Sequence, residues 1–136
     1  MAICPFAEWR PCAKHGYSGS PDVHQAKGVV VHSMEGMLQS AFGVLDSARE
    51  ASWHFSVSKG GQLFQHVDST QIAWHAGSPP ANRSFWGIEV EGFAGEAFTE
   101  AQIKAVVDVT TWLWDEHGLT IYERGQTLFE HREMTV

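Results

Sequence analysis

The stretch Gly28-Val29-Val30-Val31-His32-Ser33 decides the fold. Three consecutive β-branched residues make a short apolar run that reads as a buried strand, and the run ends at a histidine. A second run, Phe85-Trp86-Gly87-Ile88-Glu89-Val90, places Trp86 and Ile88 on one face and Glu89 on the other. Between them, residues 37–50 predict a helix with Leu38, Phe42 and Leu45 on one side. Residues 53–57 and 62–67 flank Lys59-Gly60-Gly61 and predict a hairpin. Residues 76–84, with Pro79 and Pro80, read as a loop. Thr99 is expected to cap a helix in which Gln102 completes a capping box. Ile103, Val106, Val107, Thr110, Leu113 and Trp114 form its expected apolar stripe, and Gly118 its end. A short last strand is expected at 127–131, again closing on a histidine, His131. Strand, helix, hairpin, strand, helix, strand is the order of an α/β domain: a mixed central sheet with flanking helices. Residues 1–27, rich in Pro, Gly, Ser and Cys, read as an irregular arm, and residues 28–136 as the domain proper.

The chain has 136 residues, enough to bury one core without staples. Its formal net charge is −7 with no run of Lys and Arg, which argues against nucleic acid and against capture by anionic lipid. No apolar stretch approaches the roughly 20 residues of a membrane span. The start, MAICPFAEWRPCAKHG, lacks the basic and apolar regions of a secretory leader. The reading is of a monomer with neither nucleic-acid nor membrane partner. Cys4 and Cys12 are either a small disulfide loop or two reduced thiols.

Eight histidines are the unusual count, because imidazole is both the commonest metal ligand and the commonest neutral-pH acid or base. Taken alone, His32 and His131 fit core or surface positions as readily as a metal, since no local ligand motif joins them. Glu89, alone, could be an ordinary outward-facing glutamate; a carboxylate flanked by apolar neighbours could equally have a raised pKa and move protons.

The segments VVVHS (29–33), ASWHFSVSKGGQLFQHVD (51–68), AWHAG (73–77), NRSFWGIEVEGF (82–93), FTEAQIKAVVDVTTWL (98–113) and EHRE (130–133) stand in an order that resembles the amidase-2 family. These are N-acetylmuramoyl-L-alanine amidases related to peptidoglycan recognition proteins and to a phage lysozyme. The resemblance covers about residues 28–133 and implies a zinc enzyme that cuts the bond between N-acetylmuramic acid and L-alanine in peptidoglycan. His32 and His131 match the two family histidines that hold Zn2+. The family's third ligand follows the second histidine at a position beyond Val136, which reads the chain as cut short. Glu89 matches the family's catalytic glutamate, with Glu91 as the second candidate. Trp53 stands where a tyrosine is found in some members. Trp53, His54 and His75 are the expected substrate-binding residues, His75 for the peptide or the oxyanion. The resemblance implies an extracellular or wall-acting protein, or a phage endolysin released from the host cytoplasm. A peptidoglycan-binding module of the same fold without hydrolysis is the alternative.

Overall fold

The two decisive runs pair with each other over their whole length. In the computed structural model, which describes residues 2–123 and 127–130, they are β2 (Gly28–Ser33) and β5 (Phe85–Val90), joined in parallel from Gly28↔Phe85 to Ser33↔Val90. Around them the chain adds β1 (Glu8–Trp9), β3 (Phe55–Val57), β4 (Leu63–Gln65) and β6 (Leu128–Glu130). The sheet runs β1-β4-β3-β5-β2-β6, with only the β3–β4 hairpin antiparallel. Three helices join it: α1 (Leu38–Asp46), α2 (Pro79–Ser84) and α3 (Glu100–His117).

Strand alternation divides the burial between two faces. Val29, Phe55, Val57, Trp86, Ile88 and Val90 face α3 and meet Ala105, Val109, Leu113 and Trp114 in the larger core. On the other face Phe64 and Trp53 pack with Ala41, Phe42 and Leu45 of α1. His32, Glu89, Ser56 and Phe64 form one row across that second face, since each is the register partner of the next.

α3 is built as its sequence predicts at both ends. Thr99 accepts from the Gln102 N–H at 3.0 Å, the Gln102 side chain accepts from Thr99 N–H at 3.0 Å, and Gly118 closes the helix at φ 71°. The Thr99 hydroxyl also donates to Lys59 O at 2.9 Å, tying the helix to the hairpin turn. Thr99→Ala is therefore expected to cost about 1–2 kcal/mol in urea unfolding; an unchanged midpoint would show that the cap is dispensable. The buried stripe differs from the expected one. Ile103 and Val107 are half exposed, while Gln102, Ala105 and Val109 are buried. Gln102 goes inside because its amide also donates to Glu91 O at 2.9 Å, which fixes the helix's rotation on the sheet.

α1 is shorter than the periodicity suggests. The Ser47 hydroxyl donates to Val44 O at 2.7 Å and accepts from Arg49 N–H at 3.2 Å, ending the helix there. The expected loop at 76–84 contains α2: Ser78 caps it by accepting from Ala81 N–H, and its prolines occupy the first helical turn, where a missing N–H costs nothing. The arm is stitched to the sheet as well as irregular. β1 pairs with β4, and the buried Gln65 side chain accepts from Cys4 N–H at 2.7 Å and donates to Ala2 O at 3.0 Å. Cys4 and Cys12 are separate thiols, one in each core. Among the described residues no helix is long and apolar enough to cross a membrane.

Candidate functional site

β2 and β5 carry His32 and Glu89 side by side, one residue before the carboxyl end of each strand. Adjacent strands lie about 4.8 Å apart and register partners point to the same side, so an imidazole and a carboxylate are neighbours at the end of a parallel pair, where α/β folds place their sites. Their environments are opposite in kind. His32 is buried, and its Nε2 is hydrogen-bonded to His75 Nδ1 at 3.0 Å. Glu89 has Oε2 buried with no hydrogen-bond partner among the described residues. Burial pushes its carboxyl up from the usual 4.5 to about 8, against the pull of the Arg49 charge and with that of Glu35. A carboxyl group near 8 is poised to take and return a proton close to neutral pH.

The neighbour of Glu89 on the other side is Ser56, whose hydrogen bonds are committed elsewhere. Its hydroxyl accepts from Trp53 Nε1–H at 2.8 Å and donates to His66 Nε2 at 2.7 Å; His66 Nδ1–H donates to Arg10 O at 2.7 Å. This direction is forced, because indole can only donate and a carbonyl can only accept. Ser56 therefore has no proton left to give Glu89. Trp53 is buried among Phe42, Leu45 and Phe64, and meets the row of site residues through its hydrogen bond to Ser56. His66 was given no role by its sequence context; the only hint was its place at the end of a predicted hairpin strand.

The other expected residues separate by what their atoms touch. His54 is fully buried, donates Nε2–H to Gln71 O at 2.8 Å and accepts the Gly87 N–H on Nδ1 at 3.1 Å. Burial, with His24 and His75 nearby, holds it far below the usual 6.5, so it is neutral. It braces β5 from behind. Glu91, the second carboxylate, accepts from Lys59 N–H at 2.7 Å and from Leu38 N–H at 2.8 Å, so both oxygens hold backbone and cap α1. It is not placed to serve as a base. His131 lies outside the described residues, as do 132–136. Among the described residues no three His, Cys, Asp or Glu side chains converge as a metal site.

His75 donates Nε2–H to Phe85 O at 2.7 Å and meets His32 through Nδ1. Its own N–H and that of Ala76 are both held by Asn82 Oδ1, at 3.0 and 2.7 Å, and Asn82 in turn donates to the Tyr17 hydroxyl at 2.7 Å. Asn82 carries no sequence signal, because Pro79 and Pro80 make its segment read as loop. The ring lies against Gly87, where a Cβ would stand 2.5 Å from His75 Cγ. Gly87→Ala is expected to push the ring off His32, costing about 1–3 kcal/mol of stability and most of any activity that depends on His32. Unchanged unfolding and turnover would show that the ring can yield. A groove of about 440 Å³ lined by Phe6, Leu63 and Ala105 lies at the far side of the sheet and contains none of these residues.

The sequence model of a family described as N-acetylmuramoyl-L-alanine amidase matches residues 22–135. Among curated protein sequences none matches. Among solved structures, the hydrolase AmiA of Staphylococcus aureus superposes with a TM-score of 0.73 at 16% identity, over 98% of this chain and 68% of that one. PlyL gives a TM-score of 0.74 at 17% identity, over 95% and 82%. The Escherichia coli amidase AmiD, in complex with the substrate anhydro-N-acetylmuramic acid-L-Ala-D-γ-Glu-L-Lys, gives 0.64 at 19%, over 87% of this chain and 52% of AmiD. At these identities the likeness is one of fold.

Proposed function

Because the chain belongs to the N-acetylmuramoyl-L-alanine amidase family, we propose that it hydrolyses the amide between N-acetylmuramic acid and L-alanine in peptidoglycan, with a zinc ion held by His32 and His131 and with Glu89 as the proton carrier. The observation that carries this reading is the pairing of His32 with Glu89, whose Oε2 is buried with no hydrogen-bond partner among the described residues, at the ends of adjacent strands. The substrate class follows from the family, and the muramoyl peptide bound by AmiD supports it.

The residues present suit a metal. His32 has one ring nitrogen anchored by a neighbouring side chain, as metal-bound imidazoles do. Glu130, the residue before His131, is the register partner of Val31, the residue before His32. The Glu89 Oε2 is buried with no hydrogen-bond donor among the described residues, so its capacity to accept a proton is unspent. When bound, zinc supplies a Lewis acid that polarises the lactyl carbonyl and acidifies a water. Glu89 accepts a proton from the attacking water and delivers it to the amide nitrogen as the C–N bond breaks. The products are a muramoyl carboxylate and a peptide with a free L-alanine amino group. Trp53 and His54 act through the neighbours they hold.

Chelation tests the metal. Activity on purified cell walls is expected to vanish with a strong chelator and to return with stoichiometric zinc. Hydrolysis that resists chelation contradicts the metal assignment. Wall binding without hydrolysis at any zinc level would favour a recognition module of the same fold.

A further inference from the structure

We propose that His75 is a positioning residue: it fixes the proton of His32 on Nε2 and so leaves the lone pair on Nδ1, the nitrogen that would bind the metal. The inference rests on the reading of His32 as a metal ligand and goes beyond it by assigning a job to a residue expected to touch substrate.

Donors and acceptors fix the protons in this chain of rings. Phe85 O can only accept, so the His75 Nε2 that meets it at 2.7 Å carries a hydrogen. In the neutral rings that metal binding requires, His75 Nδ1 is then an acceptor. The His32 nitrogen that meets it at 3.0 Å, Nε2, must donate. A neutral His32 with its hydrogen on Nε2 has its lone pair on Nδ1. The order Phe85 O, His75, His32 is therefore a relay that reads a main-chain carbonyl of β5 into the tautomer of a side chain on β2.

The relay is held from every side. The two rings meet edge to face, with centroids 5.2 Å apart at 89°. Gly87 gives the His75 ring the space it occupies, since a Cβ there would overlap Cγ. Asn82 clamps the backbone of His75 and Ala76, and Tyr17 of the N-terminal arm buttresses Asn82. A loop histidine with no task would not require a bare α-carbon beneath it and two N–H groups tied to one amide. A second consequence is that both ring nitrogens of His75 are engaged within the protein, which leaves oxyanion or peptide contacts to other groups.

The test reads the tautomer directly. Two-bond nitrogen–proton NMR correlations of the metal-free protein are expected to show His32 as the Nε2–H form. His75→Phe, which keeps ring bulk but no acceptor, is expected to release His32 into a tautomer mixture. It should also weaken zinc binding, measured by competition with a chromogenic chelator, by about 10–100-fold. His75→Asn, which restores an acceptor near the δ position, is expected to recover most of that affinity. A wild-type His32 in the Nδ1–H form overturns the proposal, as does a folded His75→Phe with unchanged tautomer and zinc affinity. The wild-type tautomer and His75→Asn decide the matter if His75→Phe does not fold. Wild-type protein that holds the Nε2–H form yet binds no zinc would overturn the metal reading while supporting the relay.

Discussion

Glu89→Gln leaves a folded protein that hydrolyses cell wall at least about 100-fold more slowly, and up to about 10,000-fold. Glutamine keeps the volume and removes the one group in the row that can carry a proton between water and the leaving nitrogen. The same variant has a stability signature that no purely structural role would produce. The folded-state pKa of Glu89 is raised to about 8 from 4.5. The protonated form is thus the one the fold prefers. Its contribution is intact at pH values below the unfolded pKa and is lost as pH rises from about 4.5 through about 8. In metal-free protein, Glu89→Gln should therefore gain on the wild type progressively over that window, by on the order of 3–5 kcal/mol by pH 9. Urea unfolding of both proteins at several pH values measures the gap. A gap that is flat with pH would mean that Glu89 ionises normally and is solvated.

The second large effect lies on the acid side. Burial depresses His24 and His66 from 6.5 to about 4, and holds His54 well below 6.5. For a base the depressed value means that the neutral form is the folded form. This stability is present above the unfolded pKa of about 6.5 and is lost as pH falls toward 4. Near pH 5 the unfolded chain binds close to three protons on these rings, while the folded chain retains about one that the unfolded chain has lost, on Glu89. The net of about two protons gives a loss of about 3 kcal/mol per pH unit. His24 is stacked on Trp86 at 4.7 Å and His54 is hydrogen-bonded into β5, so charging either disrupts the main sheet and its core. Metal-free protein is expected to unfold cooperatively between pH 6 and 4, with a steep slope in urea titrations. A stability that changes by less than about 1 kcal/mol over that range would contradict the burial of these rings.

These effects also show what the sequence could and could not reveal. β2 and β5 were legible because three valines in a row and an alternating Trp-Gly-Ile-Glu pattern leave few other structures. The ends of α3 were legible because Thr99, Gln102 and Gly118 act within one turn of themselves. The rotation of α3 was not, since it depends on Gln102 reaching Glu91 O across a tertiary contact. α2 was hidden by its two prolines, which break helices everywhere except in the first turn. At the site, His32 and Glu89 each carried a local signature, but their adjacency is a matter of strand register between distant segments. The fates of Trp53, His54 and His75 were illegible for the same reason: whether a histidine faces a substrate or a main-chain carbonyl is decided by which loop folds over it. His75 depends on Phe85 O, Gly87 and Asn82 together, and no spacing rule links those three to it.

Identifying the bond that is cut is the decisive measurement for the proposed function. Purified peptidoglycan, incubated with zinc-loaded protein, should release peptides whose new amino terminus is L-alanine, with the glycan left uncut and carrying free muramoyl carboxylates, as read by mass spectrometry of the soluble products. Peptides with any other new amino terminus, new reducing sugar ends, or no release at all would contradict it.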